Sequence, residues 1–280
     1  MDRQRGGVVI AEEPEPGAGP SKGRQPRGHP GKVRKLTRGW LRRLGLVVHA
    51  WPATRFNATE DALMLLHRNG FDPEVVIDVG ANRGRWTSMA RRIFPDAAYH
   101  LIEPQHGCQP FLKDVAAASS RIHVHATAVT RPGISSVTMV GGGDDQAGTG
   151  NFIPTRAESA STSNHPTPYP STTLDSLFSR LVSTRALLKL DVEGHELSAL
   201  EGARALLPRV EVIVAEFWMF KIDGEEMATF TGLVAWLDQA GFVLYDFGAL
   251  NGRRSDNRLQ SGDAIFVRRD SPLIANSSWS

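Results

Sequence analysis

The 280-residue chain predicts an α/β fold: a seven-stranded, mostly parallel sheet with helices on both faces and an antiparallel last strand. Three observations carry that expectation. Apolar runs alternate with amphipathic segments from about residue 57 onward. The last two runs, "FVLYDFG" and "DAIFVRR", are joined only by "ALNGRRSDNRLQSG", which makes them a hairpin-like antiparallel pair. Four earlier runs end in an acid, at Asp78, Glu103, Asp191 and Glu216.

Taken in order, "NATEDALMLLHRNG" reads as a helix, with acids in its first turn and Gly70 as its stop. "VVIDVG" (75–80) is a buried strand, and "RGRWTSMARRIFP" a helix ended by Pro95. "AYHLIEP" is the second strand of the domain, residues around 107–118 a helix, "RIHVHATAV" a third strand and "SSVTMV" a further one. "TTLDSLFSRL" opens a helix with Thr172 or Thr173 as cap. "ALLKLDVEG" is a strand, "HELSALEGARALLP" a helix, "VEVIVAEFWMF" a strand and "EEMATFTGLVAWLDQAG" a helix. Residues 141–171, dense in Gly, Ser, Thr and Pro, read as a long loop, either a flexible insertion or a lid over a ligand.

Composition is ordinary for a globular protein, 41% hydrophobic and 22% charged. The net charge of +2 conceals a division: residues 1–50 hold 11 Lys/Arg against 4 Asp/Glu, and the remainder 21 against 26. Residues 1–36 are a basic, Gly- and Pro-rich stretch expected to be disordered. Residues 37–56 form an amphipathic helical lead-in, with Trp40, Leu41, Leu44, Val47, Val48 and Trp51 at helical spacing. Docking on its own domain is favoured there over an interfacial helix. Residues 57–270 make the main domain, and 271–280 a C-terminal tail. The single cysteine, Cys108, excludes an intramolecular disulfide and a cysteine-rich zinc site. No apolar run approaches the roughly 20 residues that cross a bilayer, so a cytoplasmic protein is expected.

In open α/β sheets, ligands bind beyond the carboxyl ends of the strands. Buried acids are costly unless paired, so all four strand-end acids are expected at that lip. If the first and fourth long strands are neighbours, Asp78 and Asp191 lie about 5 Å apart and favour a cation between them. The turn "GANRGRW" lacks the lysine of a phosphate-binding P-loop. It also lacks dinucleotide glycine spacing, because Asn82 stands where the second glycine belongs. S-adenosylmethionine uses every residue as found: Asp78 opens the turn, backbone amides face the carboxylate, and Glu103 grips the ribose hydroxyls.

"VIDVGANRG", "HLIEPQ", "TTLDSLF", "LLKLDVEGHELSALEGA" and "VIVAEF" occur in the order found in FkbM-type methyltransferases, which residues 57–270 resemble. The resemblance implies a class I, Rossmann-like methyltransferase fold, S-adenosylmethionine as donor, and a hydroxyl acceptor on a small metabolite, polyketide or sugar. Carried over, Asp78, Gly80, Asn82 and Gly84 form the methionine-side loop and Glu103 the ribose clamp.

Methyl transfer to a hydroxyl asks the protein to position the acceptor and remove its proton. Within "DVEGHE", His195 is the candidate base, against a role with Glu196 in capping the helix they begin. Asp191 is a candidate catalytic and donor-binding residue, serving the amino group rather than as a base. A metal on Asp191, Glu193 and His195 is disfavoured for want of a cation-loop spacing. Trp86 reads as core, whereas Trp218 is equally suited to core or pocket wall. His123 and His125 read as edge-strand residues, Cys108 as inert, and His165 as a weak candidate in the loop. No nucleic acid is required by these features, and oligomeric state is open. The alternative is a catalytically altered binding module whose basic tail engages a polyanion or membrane.

Overall fold

The computed structural model describes residues 54–139, 166–183, 185–220, 229–253 and 255–275. The basic tail, the helical lead-in as far as residue 53, His165 and most of the 141–171 loop lie outside the described residues.

The strands are β1 (Thr54–Asn57), β2 (Val75–Val79), β3 (Ala98–Ile102), β4 (Ile122–His125), β5 (Ala128–Val129), β6 (Ser136–Met139), β7 (Thr167–Thr172), β8 (Ala186–Leu190), β9 (Val210–Trp218), β10 (Phe242–Gly252) and β11 (Leu259–Arg268). The helices are α1 (Thr59–Arg68), α2 (Arg85–Ile93), α3 (Gln109–Ala116), α4 (Leu174–Leu177), α5 (Glu196–Glu201) and α6 (Phe230–Gln239). The main sheet runs β1-β10-β11-β9-β8-β2-β3-β4. Its seven strands from β10 to β4 are the expected sheet, parallel except for β11, which lies antiparallel between β9 and β10. Strand order reverses between β2 and β8, which opens a crevice at their carboxyl ends.

All five residues of β2 are buried, because both faces of the sheet are covered. Val75, Ile77 and Val79 join a core with Leu174, Ala199, Leu200, Leu233 and Leu237. Val76 faces the other core, with Leu63, Leu66, Ala90, Ile93 and Leu112. Asp78 shares the Val76 face through the period of two.

Three expectations are corrected, and the C-terminal tail gains a detail. Residues Thr54–Asn57 form an eighth strand on β10, not the end of a helical lead-in. The end of the 141–171 loop is strand β7, which joins β5 and β6 in a second sheet of three strands. Tyr169 is buried there, and Ser171 N–H donates to Ser135 C=O, so Pro168 and Pro170 fall where no donor to β6 is needed. The helix after β8 stops at Glu201. Asp175 N–H takes the Gly202 carbonyl (2.8 Å), and Asp175 Oδ1 takes the N–H groups of Ala205 and Leu206, which withdraws the partners of the next turn. The tail after residue 270 begins with a 3₁₀ turn, Pro272–Ile274, capped by Ser271, whose Oγ also donates to buried Glu211 (2.7 Å).

Candidate active site

The sheet register explains the crevice lip. Carried one residue past the paired strands, it aligns Glu103, Gly80, Asp191, Glu216 and Asp263 in a single row across β3, β2, β8, β9 and β11. Three of the four predicted acids stand in that row. Asp78 does not, since it sits two residues deeper on β2 and is 0% exposed. Asp263, which the sequence reading passed over, completes the row.

Asp78 and Asp191 do hold a cation between them, but it is the chain's own. Lys189 Nζ lies 3.1 Å from Asp78 Oδ1 and 3.2 Å from Asp191 Oδ2, and donates to the Gly80 carbonyl at 3.0 Å. Thr87 Oγ1 donates to Asp78 Oδ2 at 2.5 Å. Burial disfavours a charged lysine, yet the two carboxylates outweigh it and raise the Lys189 pKa. Lys189 also lies 5.8 Å from the Trp86 ring centroid, and Trp86 packs on the α1–α2 core as expected. A role for Asp78 in touching a ligand is therefore corrected to one of fixing Lys189. Asp191, with 42% of its side chain exposed, faces the crevice.

Gly80 has φ +76°. A Cβ there would meet the Asp191 carbonyl oxygen at 1.8 Å, so the turn can press onto β8 only with glycine. Gly84, at φ +71°, lies under Val115 and Leu112 of α3, which lets α2 start close to its neighbour. Asn82 also takes a left-handed conformation, at φ 47°, and its Oδ1 accepts from Arg83 N–H. Glu103 fixes this turn: Oε2 accepts from Asn82 N–H (2.8 Å) and Oε1 from Gln105 N–H (3.0 Å). Burial raises the Glu103 pKa, while those two donors, the Gln105 side chain and Lys189 oppose the rise.

After β8 the chain turns through Glu193 (φ 52°) and Gly194 (φ 99°). A non-glycine residue in the left-handed region is held there by its surroundings. Here the hold is Glu196, whose Oε1 accepts from Val192 N–H (3.0 Å) and Gly194 N–H (3.2 Å). Its burial raises its pKa to about 7. His195 is the N-cap residue of α5 but makes no side-chain cap bond; its Nε2 lies 3.0 Å from Thr130 Oγ1. Burial, then Arg131, lower the His195 pKa to about 4. Its contact with Thr130 and its lowered pKa both weaken the ring as the proton acceptor that the sequence suggests.

Further along the rim the chemistry changes. Burial, and then Asp191, Glu193, Glu196 and Asp263, raise the Glu216 pKa well above the carboxylate range. Glu216 Oε2 and Trp218 Nε1 are buried without a hydrogen-bond partner; so, on the α2 side, are Arg83 Nε and Trp86 Nε1. Burial and Asp191 raise Asp263 to about 6, and Thr59 Oγ1 donates to its Oδ2 at 3.1 Å. Among the described residues, no group of three or more His, Cys, Asp or Glu is disposed to hold a metal ion. His123 and His125 lie on edge strand β4. His125 Nε2 is 3.0 Å from His100 Nδ1, and the His123 ring stacks on that of His100. Cys108 is buried just ahead of α3.

A doubly wound sheet ending in an inserted antiparallel strand, with an acid-lined crevice at its switch point, defines a class I methyltransferase fold. Residues 78–244 match the Methyltransferase FkbM domain, and the chain belongs to that family. It is a methyltransferase whose methyl donor is S-adenosylmethionine. No curated protein matches it in sequence. Among solved structures it is similar to the Burkholderia thailandensis 1,6-didemethyltoxoflavin-N1-methyltransferase, bound to 1,6-didemethyltoxoflavin and S-adenosylhomocysteine. That likeness has 14% identity over 88% of this chain and 93% of that one, with a TM-score of 0.41. It is also similar to the Geobacter metallireducens precorrin-6y C5,15-methyltransferase, at 12% identity over 74% and 83%, TM-score 0.38. An O-methyltransferase of neocarzinostatin biosynthesis, in complex with S-adenosylhomocysteine and 1,4-dihydroxy-2-naphthoic acid, is 12% identical over 75% and 55%, TM-score 0.37. Such distant likenesses do not bear on the acceptor. No helix among the described residues is long and apolar enough to cross a membrane.

Proposed function

We propose that the enzyme transfers methyl to a hydroxyl oxygen of a small metabolite, polyketide or sugar. The observation that carries this reading is the row Asp191–Glu216–Asp263, which extends from the donor crevice one strand at a time, about 5 Å per step. An alcohol must shed its proton as it attacks, and the row supplies oxygen atoms to receive it.

The residues present fit the donor. Asp191 is half-exposed beside the crevice, suited to an ammonium group, and Lys189 fixes its position. The Gly80–Gly84 turn presents backbone to the methionine end, with Asn82 shaping it. Glu103 accepts from Asn82 N–H, Gln105 N–H and the Gln105 side chain, and the acceptor capacity left over suits a ribose hydroxyl. Bound S-adenosylmethionine supplies an electrophilic methyl group on a sulfonium sulfur. The protein's part is to orient the acceptor in line with it, keep the turn rigid and accept a proton.

The test is transfer of tritiated methyl from the donor into a protein-free metabolite extract, with the labelled product analysed by mass spectrometry. Label on an ether oxygen is the expected result. Label on nitrogen, sulfur or carbon contradicts the reading.

A further inference from the structure

Resting on the hydroxyl-transfer reading, we propose that Glu216 is the catalytic residue that receives the acceptor's proton, with the Trp218 indole N–H anchoring the same substrate. Period-two alternation on β9 puts the two side chains on one face of the sheet, at the carboxyl end of the strand. That face carries the Asp78–Lys189–Asp191 group, and Glu216 is one strand beyond Asp191. The acceptor must lie next to the donor, and this is the next place along the rim.

The other titratable groups of the rim are committed. Lys189 neutralises Asp191, Thr59 donates to Asp263, and His195 is engaged by Thr130. Glu196 holds two backbone N–H groups and is sealed from solvent. Glu196 Oε2 also lacks a partner, but Glu216 differs in being only partly buried and so within reach of a ligand, with its own Oε2 and the neighbouring Trp218 Nε1 both without a partner. A buried polar atom without a partner costs about 1–3 kcal/mol, so two within one strand end mark a place where a ligand's polar groups complete the bonding. One is an acceptor and one a donor, which together suit a hydroxyl.

In the step, the acceptor O–H passes its proton to a Glu216 carboxylate oxygen as its oxygen bonds to the methyl carbon. The carbon–sulfur bond breaks with its electron pair left on sulfur, giving a neutral thioether, and Glu216 then returns the proton to water. Among the described residues, the charges acting most on Glu216 are Asp191 on β8, Glu193 in the turn, Glu196 on α5 and Asp263 on β11, all acidic, with Lys189 held on Asp191. Burial first, and then these charges, raise its proton affinity above that of an ordinary carboxylate, which strengthens it as a base once ionised. Because only the carboxylate form acts, the rate rises with pH through an ionisation displaced above the ordinary carboxylate range. The same charges disfavour an acceptor that carries phosphate or carboxylate near the reacting oxygen.

The experiment compares wild type with Glu216→Gln and Glu216→Asp, using tritiated donor and a protein-free metabolite extract as the acceptor probe. Calorimetry with S-adenosylhomocysteine runs alongside. Glu216→Gln is expected to lower the transfer rate at saturating donor by about 100-fold or more and to abolish the displaced ionisation, with S-adenosylhomocysteine affinity within about two-fold. Glu216→Asp is expected to be slower than wild type yet keep that ionisation, and it serves alone if the Gln variant does not fold. Transfer within about three-fold of wild type in Glu216→Gln, persistence of the displaced ionisation in Glu216→Gln, or a Glu216→Asp variant as fast as wild type overturns the assignment. Label on oxygen with an unaffected Gln variant overturns this assignment alone; label on nitrogen or carbon in wild type overturns the hydroxyl reading with it.

Discussion

The β2–β8 end of the crevice and the β9–β11 end carry similar numbers of carboxylates but opposite electrostatics. At β2–β8, Lys189 stands between Asp78 and Asp191, and Thr87 supplies a further hydrogen bond. At β9–β11, among the described residues, the charges acting most on Glu216 are other acids, while Asp263 has Thr59 and the more distant Lys189. In the first arrangement the buried charges are paired within the protein, although Arg83 Nε and Trp86 Nε1 nearby keep no hydrogen-bond partner. The second keeps polar atoms unsatisfied, which is unfavourable to the fold by itself and is explained when a substrate supplies what is missing.

The contrast breaks most sharply at Lys189. Lys189→Met leaves buried Asp78 without its cation, and the expected loss is about 3–5 kcal/mol in denaturant unfolding. Lys189→Met with Asp78→Leu is expected to recover most of that loss while still weakening donor binding. A single variant as stable as wild type would remove the claim that this end depends on its internal ion pairs. Next comes Gly80→Ala, which sets a methyl group 1.8 Å from the Asp191 carbonyl oxygen at a positive φ. The turn must move, and S-adenosylhomocysteine affinity is expected to fall about 100-fold, some 2.7 kcal/mol. Calorimetry measures it. Thr87→Val removes the hydroxyl on Asp78 and is expected to cost about 1–3 kcal/mol in thermal unfolding.

The smallest effect probes the other end. Asp263 is raised from 3.8 to about 6, chiefly by burial, so the folded chain holds that proton more tightly than the unfolded one. Ionising it opposes folding, and its contribution to stability falls as pH rises through that window, reaching its full deficit above about pH 6. Asp263→Asn keeps an acceptor for Thr59 but cannot ionise. Its melting temperature relative to wild type should therefore climb between pH 4 and 6 and level off above. A difference independent of pH would contradict the account of this end.

Much of the fold was legible because buried parallel strands read as continuous apolar runs, four of them with an acid at the carboxyl end. The inserted last strand followed from the connection between "FVLYDFG" and "DAIFVRR". Strand β7 was hidden because "TPYPST" shows prolines where alternation places a strand. The shortened α5 depends on Asp175, 27 residues before Gly202 in the chain, which no local pattern reports. In the site, Glu103, Asp191 and Glu216 were visible as strand-end acids. Lys189 was overlooked although it stands two residues before Asp191, because a lysine on a buried strand signals its role only once register sets it against Asp78. His195 looked like a base from residue type alone; its burial and its contact with Thr130 are tertiary facts.

The central claim is that the lip formed by Gly80, Glu103 and Asp191 holds the methyl donor. Calorimetric titration of S-adenosylhomocysteine into the wild-type chain, Glu103→Ala and Asp191→Ala tests it most directly. The account predicts saturable heat in the wild type and affinity at least about tenfold lower in both variants. Absence of heat in the wild type, or equal affinity in all three proteins, would contradict it.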